Sequence, residues 1–387
     1  MTALVLHIGD PKTGSSSIQK ILFEKEWRCE SRTLDYPRTM NAFKLVNALK
    51  PDTRPYVADT RYAEYNTWLK ASRADVAVIS AETFSQMDPV IVNNAMHRYF
   101  PEHAPTMRVV AYARPHVSRF LSAYVQRTKT GLMNSSLEEF LVKVTTKGLL
   151  SFHDRFSKWR DVFGSSFVLR PMEREVLRDG DVVTDFLDVV LGDVPFSISG
   201  STQSNMSMPV EALAGLRMIH AVLSMFKLPA DTPHAVGARI NTLVAMAGLT
   251  GTKLCVSQVM YDALYGLYAE DAARLDRDFF DTPVMTMAFA KAARETVPTP
   301  QVWKAQDIFS VETVRALRQT ARKLGNLLQA HPGVWEAVDR RSKGYEKHVP
   351  PTDAEILAQS EVIEQVEATL AEAVALLASP AASAKSS

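Results

Sequence analysis

The first twenty residues constrain the fold of this chain more than any other segment. An apolar, β-type run at 4–8 leads into a loop bracketed by Gly9 and Gly14, and a hydroxyl cluster at 15–17 opens a helical pattern. A strand, loop and helix in this order surround an anion, usually a phosphate, with backbone N–H groups and a helix N-terminus. The sequence therefore predicts an anion-binding loop at the start of an α/β domain.

The position of the loop lysine indicates what kind of phosphate loop this is. A nucleoside-triphosphatase loop reads G-x-x-x-x-G-K-[ST], with its lysine after the second glycine. Here Lys12 precedes Gly14 in the run P-K-T-G-S-S, so the pair Lys12 and Thr13 is displaced relative to the glycines. We therefore expect a phosphate loop that differs from the nucleoside-triphosphatase type.

Size, charge and cysteine content exclude several classes of protein. The 387 residues, 46% hydrophobic and 22% charged, suffice for one large domain or one domain plus a smaller one. The net charge of +1 argues against a nucleic-acid partner, and no apolar run approaches the roughly 18 residues of a membrane span. Cys29 and Cys255 have no metal-like spacing, and the N-terminus has no leader pattern. We expect a cytoplasmic protein with reduced cysteines and no transmembrane segment.

Strand-like and helix-like segments alternate in the first half of the chain. Short apolar or β-branched runs predict strands at 3–8, 76–80, 108–113 and 166–169. Helical patterns lie between them, at 16–26, 62–71, 89–99, 117–129, 137–147 and 152–163. The alternation predicts an α/β fold with a parallel β-sheet flanked by helices. Such sheets bind ligands at the carboxyl ends of their strands, so the residues after each strand are the candidates.

Helical periodicity dominates from about residue 200 onwards and predicts a helical C-terminal region. We expect an α/β domain at 1–285 whose C-terminal part is mostly helical, a helical extension at 300–377 and a disordered tail at 378–387. An apolar stripe follows the predicted helix at 353–377. Such a stripe serves internal packing or self-association, so a homo-oligomer formed through the C-terminal helices is one expectation.

A second candidate anion site follows the predicted strand at 108–113. Arg114 comes directly after that strand, and Ser122 lies eight residues later on the predicted helix. A guanidinium fork and a hydroxyl can converge on one phosphate. The pattern R-x7-S is weak by itself, but together with the P-K-T-G-S-S loop it forms a specific pair.

These residues together resemble the superfamily of sulfotransferases that use 3′-phosphoadenosine 5′-phosphosulfate. Residues 11–16 match its P-K-[ST]-G-[ST]-[ST] loop for the 5′-phosphosulfate, and Arg114 with Ser122 matches its 3′-phosphate site. The phrase R-F-L-S-A-Y-V-Q at 119–126 is similar to the carbohydrate-sulfotransferase branch, and the opening L-H-I-G-x-P-K-T-G is similar to its bacterial members. The resemblance covers residues 1–190 best.

The resemblance implies sulfuryl transfer from 3′-phosphoadenosine 5′-phosphosulfate, with adenosine 3′,5′-bisphosphate as the product and no metal. It gives Lys12 the role of contacting the bridging or leaving phosphate oxygen. From their positions near Ser122 on the predicted helix, Arg119 and Arg127 either add charge near the nucleotide or form a solvated basic face. The donor-binding residues that it implies are Pro11, Lys12, Thr13, Gly14, Ser15, Ser16, Ser17, Arg114 and Ser122. The acceptor would be a hydroxyl or amine of a saccharide, a glycolipid or other lipid, or a small metabolite.

The resemblance also implies a general base, which is Glu or His in the family. Glu82 follows the strand at 76–80 and so lies at the binding edge of the predicted sheet, where partial burial would raise its pKa. The alternative role of Glu82 is structural, because the helix dipole stabilises a glutamate at a helix N-terminus. His7 directly precedes the loop, but a strand histidine is also explained as hydrogen-bonded core. His116 and His153 are further candidates.

Two other functions remain open from the sequence. A magnesium-dependent P-loop kinase would need a phosphate loop, but the lysine is displaced and no clear acidic residue ends a strand as a Walker B aspartate does. A non-catalytic nucleotide-binding module, interacting through its C-terminal helices, is the third hypothesis. The intact Lys12, Arg114 and Ser122 argue against a degenerate module of this kind.

Overall fold

Parallel pairing of short apolar strands organises the fold. The computed structural model describes residues 2–133, 135–200, 208–301, 304–332 and 353–379. The strands are β1 (Ala3–His7), β2 (Trp27–Cys29), β3 (Leu34–Asp35), β4 (Val76–Ser80), β5 (Arg108–Ala113), β6 (Phe167–Pro171) and β7 (Phe196–Ile198). A five-stranded parallel sheet has the order β3-β4-β1-β5-β6, and β2 pairs with β7 in antiparallel fashion.

Helices fill the intervals between strands and then the C-terminal region. The first set comprises α1 (Ser15–Glu24), α2 (Phe43–Ala48), α3 (Pro55–Ala71), α4 (Pro89–Tyr99), α5 (His116–Lys129), α6 (Leu137–Thr146), α7 (Phe152–Phe163) and α8 (Val182–Leu191). The second set comprises α9 (Val210–Leu223), α10 (Thr232–Met246), α11 (Gln258–Phe279), α12 (Val284–Ala293), α13 (Ala305–Ile308), α14 (Val311–Ala330) and α15 (Asp353–Leu377). The predicted fold class, a parallel sheet flanked by helices with a helical C-terminal region, is confirmed. In the part of the chain that the structure describes, no helix has the length and apolarity needed to cross a membrane.

Strand β1 is central because it pairs with β4 on one side and β5 on the other. Leu4, Val5 and Leu6 are all at most 2% exposed, so both faces of the strand are covered. Val5 shares its core with apolar residues of α1 and α8, among them Ile18, Ile21, Leu22, Val183, Phe186 and Val190. A strand that is buried on both faces consists of a continuous run of apolar residues, so its position could be predicted from the sequence.

Two compact units divide the chain. The first comprises Met1–Phe120, Val144–Ser204 and Val259–Glu295, and it contains the parallel sheet. The second comprises Leu121–Lys143, Asn205–Gln258 and Thr296–Ser387.

The apolar stripe of α15 packs inside the second unit, along α14. Val366 and Leu370 are wholly buried, and Leu377 fits against Gly215 of α9, where an added Cβ would lie only 2.1 Å from the leucine Cδ2. Arg239 of α10 also forms an ion pair with Glu367, with 2.7 Å between Nη2 and Oε2. Internal packing therefore accounts for the stripe, and self-association stays a prediction. The predicted tail at 378–387 lies, from residue 380 onwards, outside the described residues.

We expect the substitution Leu370→Ala to destabilise the second unit without changing the oligomeric state. Truncating a wholly buried leucine removes its apolar contacts and leaves a cavity, which costs about 2–5 kcal/mol of unfolding free energy. Chemical denaturation measures the loss, and sedimentation measures the mass. Glu364→Ala, at an exposed position of the same helix, is the control. A change in mass with little loss of stability would assign the stripe to self-association instead.

Candidate active site

The loop between β1 and α1 has an unusual backbone. Gly9, Lys12 and Gly14 have φ angles of 62°, 71° and 79°, in the left-handed region that L side chains rarely adopt. Gly14 caps α1, and its carbonyl accepts hydrogen bonds from Ser17 N at 3.0 Å and Ile18 N at 3.1 Å. Because the helix starts inside the loop, its free backbone N–H groups face the position that the sequence predicts for an anion.

A buried carboxylate holds this loop in shape. Asp10 is wholly buried, and its Oδ2 accepts from Arg119 Nε at 3.0 Å while its Oδ1 accepts from Arg155 Nη2 at 2.9 Å. The hydroxyl of Thr13 donates to the Asp10 carbonyl at 2.6 Å and closes a tight turn. Arg119 lies on α5 and Arg155 on α7, so two helices fix one loop residue.

Glu82 lies directly against the loop, as the order of the strands predicts. It follows β4, the neighbour of β1, and an added Cβ on Gly9 would lie 2.7 Å from its Cα and 2.8 Å from Ser15 Oγ. Backbone hydrogen bonds from Ala81 N to His7 O and from Ser85 N to Ile8 O join the two segments. Glycine is needed at position 9 because any side chain would separate the loop from Glu82.

Burial and mutual charge shift the pKa values of two ionisable groups at this edge of the sheet, Glu82 and Lys12. Burial raises the pKa of Glu82, and the positive charge of Lys12 opposes that shift. Burial also lowers the pKa of Lys12. The negative charge of Glu82 opposes this shift, and the positive charges of Arg119 and Arg114 increase it. A half-buried carboxyl with a raised pKa and an amine with a lowered pKa are the properties expected of groups that move protons or stabilise charge.

Arg114 connects the end of β5 to the loop. Its Nη1 donates to the carbonyl oxygen of Lys12 at 3.1 Å, and its Nε donates to Ser118 Oγ at 3.2 Å. Burial lowers its pKa, and the charge of Arg119 acts in the same direction. The predicted partner Ser122 lies further along α5, in the second unit. The structure therefore joins Arg114 to the Lys12 segment, a contact that the sequence did not predict.

The predicted hydroxyls of the loop differ in exposure. Ser15 is 2% exposed, and its Oγ has no hydrogen-bond partner among the described residues. Ser16 is exposed, and Pro11, Lys12, Gly14 and Ser17 are half-buried. Thr13 is wholly buried, and its hydroxyl is used in the turn with Asp10. Ser15 thus has an unsatisfied donor at the helix N-terminus, whereas Thr13 shapes the loop.

The three histidines that the sequence offers as alternative bases are buried and bonded. His7 is 0% exposed, its Nδ1 lies 2.8 Å from Ser80 Oγ, and its ring contacts Phe186 with 4.9 Å between centroids. His116 Nε2 lies 2.9 Å from Asp271 Oδ2, and His153 Nε2 lies 2.7 Å from Asp278 Oδ2. These surroundings explain the three histidines as hydrogen-bonded residues of the core.

Sequence reasoning missed the residues that support the site. Asp10 has the appearance of a solvated loop aspartate, and Arg155 that of a polar residue on an amphipathic helix. The sequence left open whether Arg119 adds charge near the nucleotide or belongs to a solvated basic face; the structure shows it buried and bound to Asp10 of the loop. Arg170, at the end of β6, forms an ion pair with Asp185. No local pattern distinguishes a buried ion pair from exposed charges, because burial is decided by distant segments.

Among the described residues, no group of three or more His, Cys, Asp or Glu side chains is placed to hold a metal ion. Cys29 and Cys255 are free and half-buried.

No protein-family model matches the chain, and no curated protein matches it. Among solved structures, the crystal structure of a sulfotransferase from Alicyclobacillus acidocaldarius is similar over 73% of this chain and 97% of that chain, with 14% identity and a TM-score of 0.40. A TM-score of this size does not establish a common fold.

We expect the stability of the protein to depend on pH through His7. Burial lowers the pKa of His7 to about 3 from an ordinary value of 6.5. Between these two pH values the His7 ring is protonated in the unfolded chain and neutral in the folded chain. Stability contributed by His7 is present above pH 6.5 and is lost as the pH falls towards 3, by about 2 kcal/mol at pH 5.

The measurement is chemical denaturation at pH 7 and pH 5. His7→Asn should lose less stability than the wild type over this interval because it removes the titrating ring. His97→Gln, which removes an exposed histidine from α4, is the control. Identical losses in His7→Asn and the wild type would show that His7 does not carry the effect.

Proposed function

We propose that this protein is a sulfotransferase that moves the sulfuryl group of 3′-phosphoadenosine 5′-phosphosulfate to a hydroxyl or amine. The acceptor class that we propose is a saccharide, a glycolipid or a small metabolite, as in the carbohydrate-sulfotransferase branch. One observation carries the proposal. The loop places Lys12 and the N-terminus of α1 beside Glu82, and Arg114 donates to the loop itself.

The site has the properties that an anionic donor requires. Two arginines oppose the single carboxylate of Asp10, so positive charge remains behind the loop, and Lys12 and Arg114 add to it. Helix α1 has ten residues, and its N-terminal N–H groups favour negative charge. The buried Ser15 Oγ lacks a partner among the described residues, and a phosphate oxygen would supply one. These residues fit a phosphosulfate group.

Lys12 is the group that would stabilise the leaving phosphate. Sulfuryl transfer, like phosphoryl transfer, depends on in-line positioning and on stabilising charge at the leaving oxygen. A half-buried ammonium interacts with such charge more strongly than one in water. The left-handed backbone at Lys12, held by the bond from Arg114 Nη1 to its carbonyl, fixes the direction in which the chain leaves the loop.

Glu82 is the group that would accept the proton of the acceptor. An ionised carboxylate can take this proton as the acceptor oxygen attacks, and a raised pKa makes it a stronger base. Its position after β4 places it beside the loop that would hold the donor. Arg114 is proposed to bind the 3′-phosphate of the nucleotide.

Calorimetric titration with adenosine 3′,5′-bisphosphate, without metal, tests the proposal. Parallel titrations use adenosine 5′-monophosphate and ATP with magnesium. Micromolar binding of the bisphosphate, with weaker binding of the monophosphate, is the expected result. A preference for magnesium-ATP would identify a kinase, and binding of no nucleotide would favour the interaction module; either result would overturn the proposal.

We expect Arg114→Ala to reduce the preference for the 3′-phosphate. Removing this charged donor should weaken bisphosphate binding about tenfold more than monophosphate binding, because both nucleotides would use the loop that Arg114 holds and only the bisphosphate carries the 3′-phosphate. The ratio of the two dissociation constants is the measurement. Arg108→Ala, at the opposite end of the same strand, is the matched control. An unchanged ratio in Arg114→Ala would remove this residue from the phosphate site.

We expect Glu82→Gln to keep nucleotide affinity and lose rate. Loss of a general base lowers the rate about 100-fold or more, and transfer from labelled donor to a panel of saccharide and small hydroxyl acceptors measures it. Because only the ionised carboxylate accepts a proton, the wild-type rate should fall as the pH drops through the raised pKa of Glu82, and the variant should lose this limb.

Glu102→Gln, an exposed carboxylate in the turn after α4, is the control for loss of a negative charge. A full rate in Glu82→Gln would exclude Glu82 as the base, and a tenfold loss of bisphosphate affinity would make it a binding residue instead.

A further inference from the structure

We propose that Asp271 is a positioning residue for the phosphate loop, acting through the helices that hold Asp10. The inference rests in part on the proposed function, because the loop is the predicted donor site. Asp271 lies on α11, outside every segment that the sequence analysis assigned to the site. Its carboxylate holds the first turns of both α5 and α7, which are the helices that carry Arg119 and Arg155.

Three donors converge on the Asp271 carboxylate. Its Oδ2 lies 2.9 Å from His116 Nε2, at the first residue of α5, and accepts from Phe152 N at 3.2 Å. Its Oδ1 accepts from His153 N at 3.1 Å. Phe152 and His153 are the first residues of α7, so Asp271 satisfies backbone N–H groups that have no partner within that helix.

Each of these contacts lies one helical turn or less from an arginine that binds Asp10. Arg119 follows His116 by three residues on α5, and Arg155 follows His153 by two residues on α7. Arg119 Nε donates to Asp10 at 3.0 Å and Arg155 Nη2 donates to it at 2.9 Å. Since a helical turn is stiff, the position of Asp271 sets the positions of both guanidinium groups, and they set the position of the loop.

The surroundings of His116 show that this attachment is rigid. The imidazole stacks between Tyr268 of α11 and Phe289 of α12, with centroid distances of 5.5 and 5.4 Å. His116 is 1% exposed, and its ring cannot turn away from Asp271 without leaving this stack. A second bond, His153 Nε2 to Asp278 Oδ2 at 2.7 Å, attaches α7 to the same helix two turns further on.

Helix α11 contains a matched control. Asp276 also accepts two backbone N–H bonds at the start of a helix, from Met285 and Thr286 of α12, both at 2.8 Å. These two bonds end on α12, which carries neither Arg119 nor Arg155 and meets α5 through the ring of Phe289. Asp271→Asn and Asp276→Asn therefore remove the same kind of helix-capping carboxylate from the same helix. Only the first substitution is expected to change the conformation of the phosphate loop.

The test compares the full-length wild type, Asp271→Asn and Asp276→Asn by two methods. The first is calorimetric affinity for adenosine 3′,5′-bisphosphate, and the second is hydrogen exchange of the peptide that covers residues 9–17 without nucleotide. We expect Asp271→Asn to weaken binding about tenfold and to speed exchange in the loop, because a small misplacement of a binding group is costly. Asp276→Asn should stay within about twofold of the wild type in both measurements.

His116→Phe gives a second variant if Asp271→Asn does not fold. It keeps an aromatic ring in the stack with Tyr268 and Phe289 and removes the bond to Asp271, so it should shift loop exchange in the same direction. Equal effects of Asp271→Asn and Asp276→Asn on the loop would overturn the inference, because they would show a general loss of stability. If the wild type does not bind the bisphosphate, the proposed function fails, and loop exchange alone decides the role of Asp271.

Discussion

The buried carboxylate of Asp10 is the constraint on which the site depends. A charge that is 0% exposed is tolerated only when it is paired, and Arg119 and Arg155 pair it from two helices. Replacing either arginine would leave one oxygen of the buried Asp10 carboxylate without its partner. Because the two arginines lie on different helices, this couples the shape of the loop to the positions of α5 and α7.

The order of the strands explains why the chemical groups meet. Strands β4, β1 and β5 are neighbours and run in the same direction, so their carboxyl ends lie at one edge. Glu82, Lys12 and Arg114 each follow one of these strands, although they are far apart in the chain. Left-handed backbone at Gly9, Lys12 and Gly14 then turns the chain from β1 into α1 over a few residues, which keeps the loop close enough to contact Glu82 and Arg114.

The sequence predicted the parts of this arrangement that follow from local pattern. Strands β4 and β5 have the predicted bounds because each is a short apolar run ended by polar residues, whereas the two- and three-residue strands β3, β2 and β7 are too short to show periodicity. Asp10, Arg155 and Asp271 escaped prediction because their roles depend on long-range contacts, which no local pattern records.

Hydrogen bonding and packing in the core distinguish the three histidines from Glu82. His7, His116 and His153 each use a ring nitrogen in a bond to Ser80, Asp271 or Asp278, and His7 and His116 also pack against aromatic rings. Exposing any of these rings to a substrate would break a buried hydrogen bond and open the core beside the loop. No hydrogen bond of the Glu82 carboxylate is found among the described residues, and the nearby charge of Lys12 acts on it. The proposed role of Glu82 as the base would therefore not require a buried hydrogen bond to be broken.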